Sequence, residues 1–376
     1  MKSEFCFNQH LPQKVDITDS PISSQGVFEF HSSLHGYTPT PLVSLDALAN
    51  ELGVGKIYVK DESKRFGLNA FKALGASYAI HKWMKENPNA NVKTFCTATD
   101  GNHGRAVAWT AQKLGVKAVI YVPQNTSKAR IEAIKSHGAE VVIVNSHYDD
   151  TVIRAAADAK ENGWQVISDT AYPGYTDIPG YIMSGYSTIF KEEEKSIHDK
   201  DECAVDFVFM QAGVGGLAAA GTWYYLNRYA NKRPKLVCVE PTDADCLLES
   251  IKSKDGAIYQ SKGKQDSIMA GLNCGTPSLL AWPIIRQGMD LFMSITDDYA
   301  EKAMVTLARP VGSDQKIVSG ESGAAGLGGL LCLLSDSSMS KAKTQLGLGK
   351  NSRILIISTE GDTDPENYQK ILKENM

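Results

Sequence analysis

Short runs of β-branched residues alternate with helix-length segments from about Lys56 onward, and this alternation constrains the fold more than any other feature of the sequence. Two strands joined by a helix run parallel in one sheet, because the helix returns the chain across that sheet. Parallel sheets of this kind carry helices on both faces. The sequence therefore predicts an α/β protein with doubly wound parallel sheets, whose ligands bind beyond the carboxyl ends of the strands.

The alternation falls into two series. In the first, the predicted strands are Ile57–Lys60, Thr94–Thr97, Ala118–Val122, Glu140–Val144 and Gln165–Ile167, and the predicted helices are Ala73–Glu86, Arg105–Leu114, Lys128–His137 and Asp150–Asn162. The last three helices end at Gly115, Gly138 and Gly163, where a helix needs a left-handed cap. In the second series the strands are Asp206–Met210, Lys235–Val239, Leu291–Ile295 and Arg353–Ser358, and the helices are Leu217–Arg228, Asp298–Arg309 and Ser322–Leu334.

A charged stretch, Lys191–Glu202, separates the two series. Its single large apolar residue is Ile197, so we expect an exposed connection that begins as a solvated helix end. The chain has 376 residues, and a soft prior of ~150 residues per domain suggests two domains.

Charge and cysteine content exclude several classes of protein. Lys plus Arg total 39 and Asp plus Glu total 43, so the net charge of -4 is too weak to gather nucleic acid or an anionic membrane, and we expect a small-molecule partner. The seven cysteines are scattered, and no two form a Cys-x-x-Cys pair, so the sequence favours neither a disulfide framework nor a zinc ribbon. This pattern favours a reducing cytoplasm, although a Cys246–Cys274 disulfide remains an alternative. Met1–Gln13 lacks the apolar stretch of a signal peptide.

Two uncharged stretches are long enough to be checked as membrane spans. Phe207–Asn227 contains Gln211 and four glycines, and Ser267–Ile285 contains Asn273 and two prolines. A membrane-spanning helix needs about 20 predominantly apolar residues, and these interruptions are untypical of one. We therefore predict no membrane segment.

The first of four unusual strand-to-helix junctions is Gly213-Val214-Gly215-Gly216-Leu217. Glycines let the backbone turn tightly and direct N–H groups at an anion, and the helix start adds a partial positive charge, so this segment predicts a phosphate-binding loop. With Ala218 it also satisfies Gly-x-Gly-x-x-Ala, and Glu240 follows the next strand where a dinucleotide fold has its ribose-binding acid. An NAD site and a purely structural role for the glycines both remain alternatives.

The second junction, Thr99–Gly104, offers the side chains of Asp100, Asn102 and His103 beside another helix start, which indicates a ligand-binding loop. His103 has no second histidine or carboxylate at metal-ligand spacing. We therefore interpret it as a structural hydrogen-bonding residue and expect no metal site.

The third and fourth junctions are Asn69–Lys72 and Ser358–Asp362. A lysine in the first turn of a helix is disfavoured by the helix dipole, which would lower the pKa of Lys72 and leave a neutral amine able to form a Schiff base. Thr359 could supply a hydroxyl to a heteroatom of a ligand. Taken singly, Lys72 could equally be a solvated lysine and Ser358–Asp362 a polar turn.

The four junctions, in this order, resemble those of the fold-type II pyridoxal-phosphate (PLP) enzymes, the group of tryptophan synthase β, threonine dehydratase and cysteine synthase. More closely, four stretches resemble the diaminopropionate ammonia-lyase family: KDESKRFGLNAFKALGASYA, TATDGNHGRAVAW, SDTAYPGYTDIPGYIMSGY and STEGDTD. The resemblance extends from about Pro39 to Asp364. It implies a tryptophan synthase β-like fold with a smaller α/β domain at 75–190, a larger one at 1–74 plus 191–376, and Lys72 at their interface.

The resemblance also implies a role for each matching position. Lys72 would be the Schiff-base lysine for pyridoxal 5'-phosphate, Asn102 would contact the phenolic oxygen, and Thr359 would face the pyridine nitrogen. The backbone of Gly213, Val214, Gly215, Gly216 and Leu217 would hold the phosphate. A neutral hydroxyl does not keep the ring nitrogen protonated, so the ring should be a weaker electron sink and elimination should compete better with racemisation.

The expected substrate is inferred mainly from Asp100. The dehydratases usually have serine at this place, and a carboxylate suits the second ammonium of a diamino acid. By resemblance, Asp100 would deprotonate the D-isomer and Lys72 the L-isomer, and Asp169 would be a further carboxylate facing the substrate. The expected reaction is elimination of 2,3-diaminopropionate to pyruvate and two ammonia by a homodimer.

Three alternatives remain at this point. One is a serine or threonine dehydratase on the same fold, and a second is an NAD-dependent oxidoreductase that uses the Gly213–Gly216 loop. The third is a non-catalytic module that binds PLP or senses amino acids. The segment Ser319–Gly326 resembles another helix start that lines the pocket, and the role of Glu321 within it is unassigned.

Overall fold

The structure, a computed structural model, describes residues 2–13, 15–17, 20–99, 101–146, 148–197 and 203–375. Its strands are β1 Glu4–Phe7, β2 Leu42–Ser44, β3 Lys56–Asp61, β4 Thr94–Ala98, β5 Lys117–Pro123, β6 Glu140–Val144, β7 Gln165–Val166, β8 Phe207–Gln211, β9 Lys235–Pro241, β10 Leu291–Ile295 and β11 Arg353–Ser358. Its helices are α1 Val27–Ser33, α2 Asp46–Leu52, α3 Lys72–Glu86, α4 Asn102–Leu114, α5 Lys128–Lys135, α6 Tyr148–Asn162, α7 Asp177–Ile197, α8 Gly216–Tyr229, α9 Cys246–Lys252, α10 Ala281–Gly288, α11 Asp297–Ala308, α12 Ala325–Ser335, α13 Ser340–Leu346 and α14 Pro365–Glu374.

Two sheets organise the chain. The larger has the strand order β1-β10-β9-β8-β11-β3-β2, and only its outermost strands, β1 and β2, pair antiparallel. The smaller has the order β6-β5-β4-β7 and is parallel throughout. The predicted fold class, an α/β protein with two parallel sheets, is confirmed.

Most of the predicted elements are present, with ends shifted by a few residues. The three glycines expected to cap helices all adopt left-handed backbone conformations, with φ of 67° at Gly115, 77° at Gly138 and 67° at Gly163. The elements that were not predicted are β1, β2, α1, α2, α7, α9, α10, α13 and α14.

Helices α3 and α7 pack closely enough to require glycine. A Cβ atom at Gly75 would lie 2.6 Å from the Tyr186 ring, and one at Gly185 would lie 2.4 Å from the carbonyl oxygen of Leu74. One apolar cluster is continuous from these two helices to both sheets. Because α3 begins at Lys72, this packing fixes the position of that lysine relative to the smaller sheet.

The expectation for Lys191–Glu202 is confirmed only in part: the segment begins as a helix end in which Lys195 and Ser196 are exposed, but Glu192 and Glu193 are buried. Residues up to Ile197 continue α7, and the side chain of Glu192 is fully buried between Lys60 Nζ at 2.6 Å and Arg65 Nη1 at 2.7 Å. Charged residues are buried only when they are paired, and both partners come from the segment around β3. Residues 198–202 lie outside the described residues.

Within the described ranges, no helix is long and apolar enough to cross a membrane.

Candidate active site

A cleft lies at the carboxyl ends of β8 and β11, two neighbouring strands of the larger sheet, opposite the carboxyl end of β4. Its lining includes residues from all four predicted junctions: Lys72, Asn102, Gly213–Leu217 and Thr359. Asp169 and Thr170 also line it. Asp100 lies outside the described residues, although its neighbours Thr99 and Gly101 both line the cleft.

The glycine loop between β8 and α8 has no room for a side chain at Gly213 or Gly215. Gly215 has a φ of 99°, a region that favours glycine, and a Cβ atom there would lie 2.7 Å from Ile285 Cδ1. A Cβ atom at Gly213 would lie 2.8 Å from Cys274 Sγ. Helix α8 starts at Gly216 with a glycine as N-cap, so no side chain caps the backbone N–H groups at its start.

Lys72 is the first residue of α3, as predicted, and the turn before it is tied to the end of β11. The backbone N–H of Phe71 donates to the carbonyl of Thr359 at 3.1 Å, and the N–H of Gly361 donates to the carbonyl of Asn69 at 3.0 Å. Asn69 itself adopts a left-handed conformation, with a φ of 59°. This turn directs the Lys72 side chain into the cleft.

The amine of Lys72 pairs with a carboxylate of the smaller sheet's half of the cleft. Nζ lies 2.7 Å from Oδ2 of Asp169. Burial would lower the pKa of Lys72, but the charge and hydrogen bond of Asp169, together with the nearby Tyr186, outweigh burial and raise it. Burial would raise the pKa of Asp169, but the opposing interactions, of which the charge of Lys72 is the largest, hold it well below its usual range. The predicted lowering of the Lys72 pKa by the helix dipole is therefore wrong for this chain without ligand.

His103 is a buried hydrogen-bonding residue, as expected. Its Nε2 lies 2.7 Å from the carbonyl of Ile167, so the neutral ring donates there, and Nδ1 lies 3.9 Å from Oδ2 of Asp169. Burial lowers the pKa of His103, and the nearby Lys72 amine lowers it further. His103 therefore stays neutral and supports the strand end that leads to Asp169.

Asn102 contacts the larger sheet's half of the cleft through Glu360. Its Nδ2 donates to Oε2 of Glu360, whose other oxygen accepts the backbone N–H of Ser322 at 3.2 Å. A carboxylate only accepts, so it fixes which atom of the Asn102 amide is the nitrogen. Glu321, next to Ser322, is buried and accepts from Asn367 Nδ2 at 2.5 Å, and burial raises its pKa, as does the charge of Glu360.

Two alternatives from the sequence do not fit the geometry. The oxygens of Glu240 accept the backbone N–H groups of Leu247 and Leu248, each at 2.8 Å, and the side chain is fully buried, so it caps α9 and offers nothing to a ribose. Cys246 and Cys274 are not joined by a disulfide, so the bridge left open above is not formed in this structure.

Several residues to which the sequence assigned no role also line the cleft, among them Thr99, Arg130, Tyr186, Gln211 and Glu360. The hydroxyl of Thr99 accepts the N–H groups of Gly101 and Gly104, at 2.9 and 3.0 Å, and so shapes the loop around Asp100. Gln211 had a recognisable signal, since it is the single polar residue of the apolar strand FVFMQ. No cluster of potential metal ligands occurs among the described residues.

Comparison with known proteins agrees with this geometry. Residues 34–360 match the family described as pyridoxal-phosphate dependent enzyme, which defines the class. The chain is 42% identical, over 96% of its length and 97% of the relative's, to diaminopropionate ammonia-lyase of Escherichia coli K12. It also matches two crystal structures of the Escherichia coli enzyme, one with an aminoacrylate-PLP azomethine reaction intermediate and one with D-serine, each with a TM-score of 0.92 and 40% identity over 100% of this chain and 97% of that chain. This chain belongs to the diaminopropionate ammonia-lyase family of PLP-dependent enzymes.

Proposed function

We propose that this chain catalyses the α,β-elimination of 2,3-diaminopropionate, in both its D and L forms, with water to pyruvate and two ammonia. The observation that carries the proposal is the pair formed by the Lys72 amine and the Asp169 carboxylate, 2.7 Å apart in a cleft that also contains the glycine loop. The 42% identity to the Escherichia coli diaminopropionate ammonia-lyase supports the choice of substrate.

The residues of the cleft fit PLP. The loop from Gly213 to Leu217 forms a cradle in which a Cβ atom at Gly213 would meet Cys274 and Gly271 of the cleft lining, and the start of α8 adds a partial positive charge suited to a phosphate. Lys72 would hold the aldehyde carbon, the free N–H of Asn102 would face the phenolic oxygen, and Thr359 would face the ring nitrogen. When bound, PLP supplies the electron sink that stabilises negative charge at the substrate's α-carbon.

The side chains of this chain would move the protons. Once the substrate has displaced Lys72, the Nζ atom of Lys72 would remove the α-proton of the L-isomer. Asp100 would remove the α-proton of the D-isomer from the opposite face. Asp169, 2.7 Å from Nζ, would stabilise the protonated amine as it forms. The carboxylates of Asp100 and Asp169 would also bind the second ammonium of the substrate.

The identity of the substrate follows from those carboxylates. A β-ammonium next to an anion is favoured over a β-hydroxyl, which gains no charge interaction there. We therefore expect diaminopropionate to be turned over faster than serine or threonine, in contrast to a dehydratase.

We further propose a homodimer that works in the cytoplasm, with a smaller domain at 75–190 and a larger one at 1–74 plus 191–376. None of the seven cysteines, all within the described residues, forms a disulfide, which supports a reducing compartment. Sedimentation of the full chain at several concentrations tests the dimer, and a monomer at every concentration would contradict it.

The experiment is an absorption spectrum of the purified protein, followed by addition of each diaminopropionate isomer, serine and threonine with pyruvate measured. We expect a visible band of bound PLP that shifts on addition of diaminopropionate as pyruvate forms. Lys72→Ala should lower pyruvate formation by about 10³-fold or more, since it removes both the covalent attachment and a base. Lys64→Ala, in the same segment but exposed, is the matched control and should keep wild-type activity. Pyruvate from Lys72→Ala at the wild-type rate would refute the assignment.

A further inference from the structure

The side-chain amide of Gln211 lies at the end of β8 with an unusual set of partners. Its Nε2 is 3.0 Å from Thr359 Oγ1 and 2.9 Å from the carbonyl oxygen of Ile357. The carbonyl oxygens of Ser322 and Gly323 lie 3.0 and 3.1 Å away. Only 2% of Gln211 is exposed, so water cannot substitute for these partners.

The surroundings fix the orientation of this amide. Three of its neighbours are backbone carbonyls, which can only accept hydrogen bonds, so the atom that faces them must be the nitrogen. The reversed amide would bring its oxygen against three other oxygens. Oε1 therefore faces the opposite side, toward Gly326, where it has no hydrogen-bond partner in the described part of the chain.

The orientation of Gln211 in turn determines that of the Thr359 hydroxyl. An amide nitrogen only donates, so the proton of the Thr359 hydroxyl cannot point at Nε2 of Gln211, 3.0 Å away. This is the one hydrogen-bond contact of Oγ1 within the described part of the chain, and Thr359 lines the cleft. The backbone carbonyl of Thr359 also accepts from Phe71 at 3.1 Å, next to Lys72.

We propose that Gln211 is a positioning residue that makes Thr359 a hydrogen-bond donor toward the ring nitrogen of PLP. The inference rests on the proposed function, since it assumes that PLP occupies this cleft with its ring nitrogen at Thr359. A hydrogen bond donated to the ring nitrogen stabilises its unprotonated form. Gln211 thereby keeps the ring a weaker electron sink and favours elimination over racemisation and transamination.

The test is a double-mutant cycle read from the cofactor. Gln211→Met keeps the volume and removes the amide, and Thr359→Val removes the hydroxyl. Each protein is reconstituted with PLP labelled with ¹⁵N at the ring, and the ring-nitrogen chemical shift and the PLP dissociation constant are measured. In Gln211→Met we expect the signal to move toward that of a ring nitrogen without a donor, and PLP to bind about threefold to tenfold more weakly.

The decisive comparison is the second substitution. If Gln211 acts through the Thr359 hydroxyl, adding Gln211→Met to Thr359→Val changes neither the ring-nitrogen signal nor the PLP affinity. The proposal would be overturned if Gln211→Met alone left the signal unchanged, or if Gln211→Met changed the signal as much in Thr359→Val as in the wild type. Gln211 would then have a purely structural role. Should Gln211→Met fail to fold, Gln211→Asn, which keeps the amide but is one methylene shorter, serves in its place with the same expected result.

These outcomes are separable from failure of the proposed function. A wild-type protein that does not take up PLP overturns both proposals, whereas wild-type uptake with an unaltered Gln211→Met signal overturns this one alone. Neither of these two conclusions depends on measuring the turnover of diaminopropionate.

Discussion

The Nζ atom of Lys72 lies 2.7 Å from Oδ2 of Asp169, so the amine proposed to hold the cofactor is protonated and paired before a ligand arrives. The pKa of Lys72 is raised, so this residue stabilises the fold below its ordinary pKa of ~10.4 and loses that contribution as pH rises through the folded value. The pKa of Asp169 is lowered, so its contribution is present above ~3.9 and lost as pH falls through the folded value. The pair therefore stabilises the apoprotein between about pH 4 and pH 10.

The pairing predicts a pH dependence for uptake of PLP by the apoprotein. Only the neutral amine attacks an aldehyde, so uptake should accelerate as pH rises toward 10. In Asp169→Asn, burial would then lower the pKa of Lys72, and the acceleration should occur at lower pH. Stopped-flow absorption after mixing with PLP measures this rate. Asp177→Asn, at an exposed aspartate, is the control. If Asp169→Asn and wild type gave superimposable pH profiles, Asp169 would not control the Lys72 proton.

The Lys72–Asp169 pair also marks the limit of what the sequence could predict. Each residue could be identified separately, because glycine-rich and polar segments at strand ends are local signals. Their separation depends on the packing of α3 against α7, in which the critical contacts involve Gly75 and Gly185. The direction of the Lys72 pKa was wrong for the same reason: the helix dipole is local, whereas the deciding charge comes from another sheet. Glu192 repeats the pattern, since its charged neighbours in sequence suggest solvent while its partners lie on and after β3.

Asp100 should matter mainly for one isomer. We expect Asp100→Asn to lower kcat/KM for D-diaminopropionate by about 10² to 10⁴, the contribution of a general base, and to lower that for the L-isomer much less, through the lost contact with the second ammonium alone. The reason is that Lys72 would remain as the base on the other face. Pyruvate release from each pure isomer is the measurement, and the L-isomer is the internal control. Equal losses on both isomers would refute the assignment of two bases.

Gly215 should be required for cofactor affinity. Alanine there has to adopt a φ of 99° and place its Cβ 2.7 Å from Ile285, so the loop must shift away from its conformation. Strain of about 1–2 kcal/mol corresponds to roughly a tenfold increase in the PLP dissociation constant. Titration of the apoprotein with PLP measures it. Gly349→Ala is the matched control, because a Cβ atom at Gly349 meets nothing within 4 Å. Its affinity for PLP should equal that of the wild type. Wild-type affinity in Gly215→Ala would contradict a role of this loop in binding the phosphate.

Glu192 should be essential for stability, although it touches no residue of the cleft lining named above. Burial would raise its pKa, but Arg65 and Lys60 outweigh burial and lower the pKa to about 2. Glu192→Gln removes the negative charge that pairs with the buried cations of Lys60 and Arg65, and breaking such a pair costs about 3–5 kcal/mol. Urea unfolding at pH 7 measures this loss, with Glu161→Gln at an exposed glutamate as the control.

The pH dependence of the same measurement tests the cause. Because the folded pKa of Glu192 is depressed, its contribution is complete above the ordinary value of ~4.3 and is lost as pH falls toward 2. The difference in free energy of unfolding between wild type and Glu192→Gln should therefore shrink as the pH is lowered from about 5 to about 2. A difference that stays constant over that range would mean that the substitution acts through packing, since packing does not titrate, and would remove the ion pair with Lys60 as the explanation.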